Sequence, residues 1–290
     1  MSELLIRQLL SGQYREAHGG APVTVPIRVI EVAETLAGRE GPLVASLELG
    51  RTLAVVSDED TDRALGRRVK QALASVARVL PVVLPAHPQP DEATVEALGR
   101  QSSAADALVA VGSGTINDLC KYAAARADKP YVVFATAPSM NGYTSMNASI
   151  TVDGLKRTLP ARVPAAVFVD LSVLAAAPAR MIRAGVGDSL CRATAQADWL
   201  LAHLLRGDLY RALPFELLAE EEARLLSDPE GLLRGDLKAM GSLARTLILS
   251  GLGMTLCGGS YPASQGEHLI SHYVELRLGA RHGEDPSAEP

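Results

Sequence analysis

Towards its C-terminal end the chain reads Gly-Glu-His-Leu-Ile-Ser-His over residues 266–272, so His268 and His272 stand four apart with Glu267 directly ahead. Residues at this spacing share a helix face, and two imidazoles could point into one cleft. Zinc peptidases use HExxH, where the acid follows the first histidine; here it precedes it, which argues against a peptidase base. Two histidines, an aspartate and an open fourth position would make a catalytic divalent-metal site. Asp188, in Gly-Val-Gly-Asp, and His282, in Arg-His-Gly, could complete one. Each has a plainer reading. Histidine pairs on helices are commonly structural or solvent-facing. Asp188 suits the N-cap of a helix beginning about there, after Gly185 and Gly187, and His282 stands near the chain end. On the residues alone, metal ligands, catalytic groups and incidental neighbours all stay open.

A second kind of chemistry is suggested by Asp-Ala-Leu-Val-Ala-Val-Gly-Ser-Gly-Thr-Ile-Asn-Asp at 106–118. A buried strand ends at Gly112-Ser113-Gly114-Thr115, and a helix starts with Ile116, Asn117 and Asp118. Free amides and the positive end of a helix dipole can hold a pyrophosphate there. The spacing is neither GxGxxG nor a Walker loop, since Lys121 comes too late. The plainer reading is a tight turn capped by Thr115, with Asp118 favouring the dipole. Asp58, in Ser-Asp-Glu-Asp-Thr, could bond a ribose hydroxyl, and its acidic surroundings favour NAD over NADP; it could equally cap the next helix. The stretch 134–149 offers hydroxyls at Thr136, Ser139, Thr144 and Ser145 around an Asn141-Gly142 turn, as a ligand loop or a solvated one.

These groups need elements to position them. From residue 52 to 135, short β-branched runs alternate with helical stretches, which predicts right-handed βαβ crossovers and a parallel sheet. Residues 141–170 predict a hairpin and a returning strand. Beyond about residue 170, Ala/Leu-rich periodic segments predict helices. The expected organisation is an α/β dinucleotide-binding domain over 1–170, an all-helical metal and substrate domain over 171–284 and a disordered tail over 285–290. A chain of 290 residues, 48% hydrophobic, can bury a large core. Its net charge of −5, with both signs interspersed, offers no basic stripe for nucleic acid. No run resembles a membrane span or signal peptide, which suggests a cytoplasmic protein. Cys120, Cys191 and Cys257 are far apart in sequence, so neither a disulfide frame nor a thiolate zinc site is expected.

In order and separation, the segments GSGTINDLCKYAA, TAPSMNGYTS, GLKRTLPA, AGVGDSLCRATAQADWLLAH and GSYPASQGEHLISH resemble the sn-glycerol-1-phosphate dehydrogenase family. That family lies within the iron-containing alcohol dehydrogenase and dehydroquinate synthase-like superfamily, and the resemblance covers about residues 50–282. It implies a dehydroquinate synthase-like fold with the active site between the two domains. It implies that NAD or NADP contacts Gly114, Thr115, Ile116, Asn117, Asp118, Thr136, Ala137, Pro138, Ser139 and Ser145. Asp188, His268 and His282 would bind Zn or another divalent metal, Asp188 and His272 would touch substrate, and Asn141 would help orient it. The reaction implied interconverts dihydroxyacetone phosphate and sn-glycerol 1-phosphate, a small phosphorylated substrate whose charge Lys156 or Arg157 could meet. Two departures stand out. Asn141 replaces the family's usual aspartate, and family members carry further helices beyond the HG turn, so His282 is expected to lack part of its support. Rival expectations are a polyol or glycerol dehydrogenase, a dehydroquinate synthase-like cyclase, and a shortened, non-catalytic nucleotide-binding paralogue. A homo-oligomer is compatible with each.

Overall fold

The computed structural model describes residues 2–16 and 21–279, so His282 and the expected tail lie outside the described residues. The first fifty residues, where the motifs above predict nothing, form helix α1 (Ser2–Ser11), a ribbon of β1 (Tyr14–Arg15) and β2 (Pro22–Val23), strand β3 (Val29–Ala33) and helix α2 (Glu40–Ala45). Strand and helix then alternate as expected. β4 (Thr52–Asp58) leads through α3 (Glu59–Thr61) and a wide turn into α4 (Arg67–Leu73) and β5 (Arg78–Leu84). After these come α5 (Glu92–Gln101), β6 (Ala107–Gly112), α6 (Gly114–Arg126) and β7 (Tyr131–Ala135). The expected hairpin is β8 (Asn147–Val152) and β9 (Leu155–Pro160), joined through Asp153 and Gly154, both at positive φ as a two-residue Asp-Gly turn requires. β10 (Ala166–Asp170) is the returning strand.

The six-stranded sheet is parallel throughout, in the order β3-β10-β7-β6-β4-β5. β6, β7 and β10 are buried at every position, as unbroken apolar strands with helices on both faces should be. The chain leaves β4 first outward to β5 and then inward to β6. Val69 and Leu73 of α4 pack with Leu53, Val55 and Val109 on one face; Ile116 and Leu119 of α6 pack with Ala54, Val56 and Ala110 on the other. The helices that follow the adjacent strands β4 and β6 therefore diverge, and a crevice opens at the strands' carboxyl ends.

After β10 the described chain is helical: α7 (Leu171–Ala175), α8 (Ala179–Leu190), α9 (Arg192–Arg206), α10 (Leu213–Ser227), α11 (Pro229–Leu233), α12 (Leu237–Cys257) and α13 (Gly266–Gly279). Asp236 starts α12 by accepting from the amides of Lys238 and Ala239, and Gly258 ends it at positive φ. α12 is buried at nearly every position from Met240 to Met254, the pattern of a core helix apolar on all sides. It is long and apolar enough to cross a membrane by composition, but most of it is packed inside the protein. Fully buried Glu221 of α10 pairs with Arg245 of α12 at 3.4 Å and with Arg224 at 2.9 Å, locking the two helices together.

One helix boundary differs from expectation. Asp188 does not begin a helix; it lies in the last turn of α8, and Gly185 and Gly187 are interior to that helix. The physical reason is contact. A Cβ on Gly185 would sit 1.7 Å from the Pro138 carbonyl oxygen, so the glycine lets α8 lie directly on the loop after β7. On α12, a Cβ at Gly251 would meet the Asn141 carbonyl oxygen and Thr144 Oγ1 at 2.3 Å. Both helices approach the same loop backbone to backbone.

Candidate active site

The loop between β7 and β8 is the shared wall. Thr136, Ala137, Pro138, Tyr143, Thr144 and Ser145 are buried, which excludes the solvated-loop reading. Tyr143 donates to the Ala137 carbonyl at 2.7 Å, Thr144 Oγ1 to the Ile248 carbonyl at 2.7 Å, and Thr255 Oγ1 to the Thr144 carbonyl at 2.8 Å. Asn141 Nδ2 donates to Ser250 Oγ at 3.2 Å. From the other side Lys121, fully buried, donates to the carbonyls of Gly142 at 2.6 Å and Asn147 at 2.9 Å and to Ser145 Oγ at 3.1 Å. Burial holds its pKa down to about 8 against the opposing pull of Asp118. Local sequence assigns Lys121 no role beyond failing a Walker spacing, because its three acceptors are 21 or more residues away.

This loop, the start of α6, the β8–β9 hairpin and the start of α13 enclose a cleft of about 340 Å³. Of the residues singled out above, Gly114, Thr115, Asp118, Asn141, Ser145, Asp188, His268, His272 and Lys156 border it. Thr115 does not cap α6; the N-cap is Ser113, without a side-chain bond, and Thr115 faces the cleft instead. Asp118 is not a solvated partner of the helix dipole either. It accepts from the Ser149 amide at 3.0 Å and from Asn117 Nδ2 at 3.0 Å, tying α6 to the hairpin, and burial pushes its pKa up. Ile116, Asn117, Thr136, Ala137, Pro138 and Ser139 do not border the cleft. Asn117 is fully buried, with a side-chain oxygen that lacks a hydrogen-bond partner. Asp58 caps α3 in a reciprocal pair with Thr61, accepting from its amide at 2.7 Å; the neighbouring Asp62 meets Lys70 at 2.6 Å. These acids are engaged locally, so the acidic cluster no longer argues for either nicotinamide cofactor.

At the far end of the cleft, Asp188 and His268 converge. Asp188 Oδ2 accepts from the Asn141 amide at 2.7 Å, while Oδ1 faces His268 Nε2 at 3.8 Å. His268 Nδ1 donates to Glu267 Oε1 at 2.8 Å, and the same oxygen accepts from the Gln265 amide at 3.0 Å. A carboxylate on one ring nitrogen fixes the tautomer and leaves the other nitrogen as a lone-pair donor, as at metal-ligating histidines. Burial pushes the Asp188 carboxyl up, with the Asn141 amide and His268 opposing. Glu267 is held below its usual range: burial works against this, but its bonds from His268 and the Gln265 amide outweigh it. Asp188 and His268, with Glu267 behind the imidazole, form a carboxylate–imidazole pair that suits a divalent cation. His272 lies one turn on, its ring centre 6.3 Å from that of His268. Cys191, which sequence spacing gave no metal role, has its sulfur in this corner, and burial pushes its thiol up to about 12.

The approach to α13 is fixed by aromatic packing. Buried Trp199 of α9 lies 6.0 Å from Tyr261 in a stacked pair and edge-on to Tyr210 and Phe215. Asp198 accepts from the Gly266 amide at 3.2 Å, seating the first turn of α13 against α9.

A nucleotide-type crevice joined to a carboxylate–imidazole corner from a helical domain marks a class of fold, and comparison with known proteins specifies it. The family model for iron-containing alcohol dehydrogenases matches residues 31–178. The glycerol-1-phosphate dehydrogenase [NAD(P)+] of Bacillus licheniformis is 34% identical over 261 residues, covering 88% of this chain and 65% of that protein. Its namesake from Pyrococcus furiosus is 35% identical over 240 residues, covering 82% and 69%. The chain therefore belongs to the iron-containing alcohol dehydrogenase family. It spans 44–65% of the length of the Bacillus and Geobacillus relatives first matched. Among solved structures, glycerol dehydrogenase from Schizosaccharomyces pombe superposes with a TM-score of 0.70 at 17% identity, over 89% of this chain and 66% of that one. The iron-containing alcohol dehydrogenase of Thermotoga maritima gives 0.67 at 16% identity, over 89% and 74%. Both show the same fold, an α/β domain followed by a helical one.

Proposed function

We propose that this chain is a metal-dependent, NAD(P)-linked oxidoreductase that interconverts dihydroxyacetone phosphate and sn-glycerol 1-phosphate. The observation that carries the reading is the convergence on one cleft of the α6 N-terminus, at the sheet's switch point, and the Asp188–His268 corner. Relatives named for that activity supply the substrate. When bound, a divalent metal supplies Lewis acidity and the nicotinamide ring supplies or accepts hydride. Asp188 and His268 would hold the metal, and His282 is the family-based candidate for a third ligand. The amides at Gly114 and Thr115 would receive the pyrophosphate, with Ser145 and Asp118 on the adjoining wall. His272 and Asn141 border the space beside the metal corner and would orient the substrate's hydroxyls. Lys156, on the hairpin across the cleft, would meet the phosphate.

Purified protein given dihydroxyacetone phosphate, Zn²⁺ and either NADH or NADPH should consume the reduced cofactor. Absence of turnover with both would overturn the assignment. Faster reduction of unphosphorylated dihydroxyacetone would point to a polyol dehydrogenase instead. Lys156→Met should raise KM for the phosphorylated ketone and leave the unphosphorylated one unchanged.

A further inference from the structure

We propose that Cys191 is a thiolate ligand of the metal held at Asp188 and His268, giving a mixed aspartate, cysteine and histidine site; this rests on the reading that those two residues bind a divalent cation. One donor atom each from Asp188, Cys191 and His268 lies within 4.8 Å of the other two, and they are the only such trio of His, Cys, Asp and Glu among the described residues. An ion among atoms so spaced sits at most about 2.8 Å from each, so zinc bond lengths of about 2.0–2.3 Å need side-chain movements below about 1 Å.

The backbone already aims the sulfur. Cys191 is the junction residue between α8 and α9, helical in φ and ψ, so it follows Asp188 by three residues and shares its face. Its Sγ donates to the Asp188 carbonyl at 3.1 Å and lies 3.8 Å from the Ala263 carbonyl, just before α13. These are weak bonds that a metal–sulfur bond replaces, with the thiol proton released to solvent. The other two donors are prepared for the same point. Asp188 has one oxygen held by the Asn141 amide and the other turned to His268, whose Nδ1 is occupied by Glu267. His272 is not in the trio, which leaves it on the cleft wall for substrate. Two anionic ligands and one imidazole neutralise a dication, leave coordination positions for His282, the family-based candidate, and for a group entering from the cleft, and favour borderline or soft metals such as Zn²⁺ and Co²⁺ over Mg²⁺ and Mn²⁺.

The test is Co²⁺ titration of the full chain, followed by absorption spectroscopy, for wild type and the Cys191→Ser, Cys191→Ala and His268→Ala variants. Metal-free thermal unfolding of each variant shows that it folds. Wild type should give visible d–d bands and a near-ultraviolet thiolate-to-cobalt band. Both Cys191 variants should lose the near-ultraviolet band, although Cys120 and Cys257 remain, and bind Co²⁺ more weakly by over the roughly 10–100-fold typical of losing an outer partner. Visible bands that depend on His268, without a near-ultraviolet band and with unchanged affinity in Cys191→Ser, would overturn the thiolate ligand and leave the Asp188–His268 site standing. Absence of any Co²⁺ spectrum in wild type would overturn both.

Discussion

Gly185 and Gly187 are two residues apart on α8, and the same substitution should act on them with opposite sign. At Gly185 an alanine Cβ would fall 1.7 Å from the Pro138 carbonyl oxygen, whereas side chains keep at least 3.0 Å, so helix and loop must separate by more than 1 Å. Overpacking of this kind costs about 1–3 kcal/mol. The separation also strains the bond from the Asn141 amide to Asp188, one turn along α8, and a hydrogen bond to a charged group contributes about 1.5–3 kcal/mol. Against this, replacing a helical glycine by alanine gains about 0.5–1 kcal/mol. The net expectation for Gly185→Ala is a loss of about 1.5–5.5 kcal/mol. At Gly187 a Cβ meets nothing within 4 Å, so only the gain remains, and Gly187→Ala should stabilise by about 0.5–1 kcal/mol. Urea unfolding of the three proteins, with matched m-values, measures the difference. If Gly185→Ala proves as stable as Gly187→Ala, the direct seating of α8 on the loop is refuted, and with it the account of how Asp188 is positioned.

Three further outcomes follow from other contacts. Lys121→Met strips three acceptors of a buried ammonium and should cost about 3–5 kcal/mol in denaturant unfolding; a loss under about 0.5 kcal/mol would show that the loop does not depend on it. Asp170 is held below the usual carboxylate range: burial pushes it up, but the Leu36 amide, Ser172 and Arg68 outweigh that. Its contribution is therefore complete above the unfolded value near 3.9 and disappears as pH falls below it, so Asp170→Asn should flatten the acid limb of a stability–pH curve below about pH 4. Thr255→Val removes a 2.8 Å bond to the Thr144 carbonyl and should cost about 1 kcal/mol by thermal or urea unfolding.

The alternation of strands and helices from β4 to β7 was plain in the sequence because each strand is a short run rich in β-branched or apolar residues, with β6 and β7 buried at every position. The Asp-Gly turn of the hairpin was equally local. The first fifty residues were not legible, since β3 is only half-buried at each position and pairs with β10, more than a hundred residues away. In the candidate site, His268 and His272 were visible by helical spacing and Asp188 by its glycine-rich neighbourhood. Which end of its helix Asp188 occupies was not legible, because the glycines preceding it do not break the helix and Gly185 serves packing. Lys121 and Cys191 are not legible from spacing along the chain: the three acceptors of Lys121 lie 21 or more residues away, and Cys191, though three residues from Asp188, meets His268 only because α13 packs there.

The loop from Thr136 to Ser145 belongs by sequence to the sheet but is bolted to α12 and rests against α8. The two halves of the molecule are thus not a pair of jaws with an independent hinge; they share a keel. The spacing between the glycine turn and Asp188 is therefore set within this keel, by Lys121 from the α6 side and the Asn141 amide from the other.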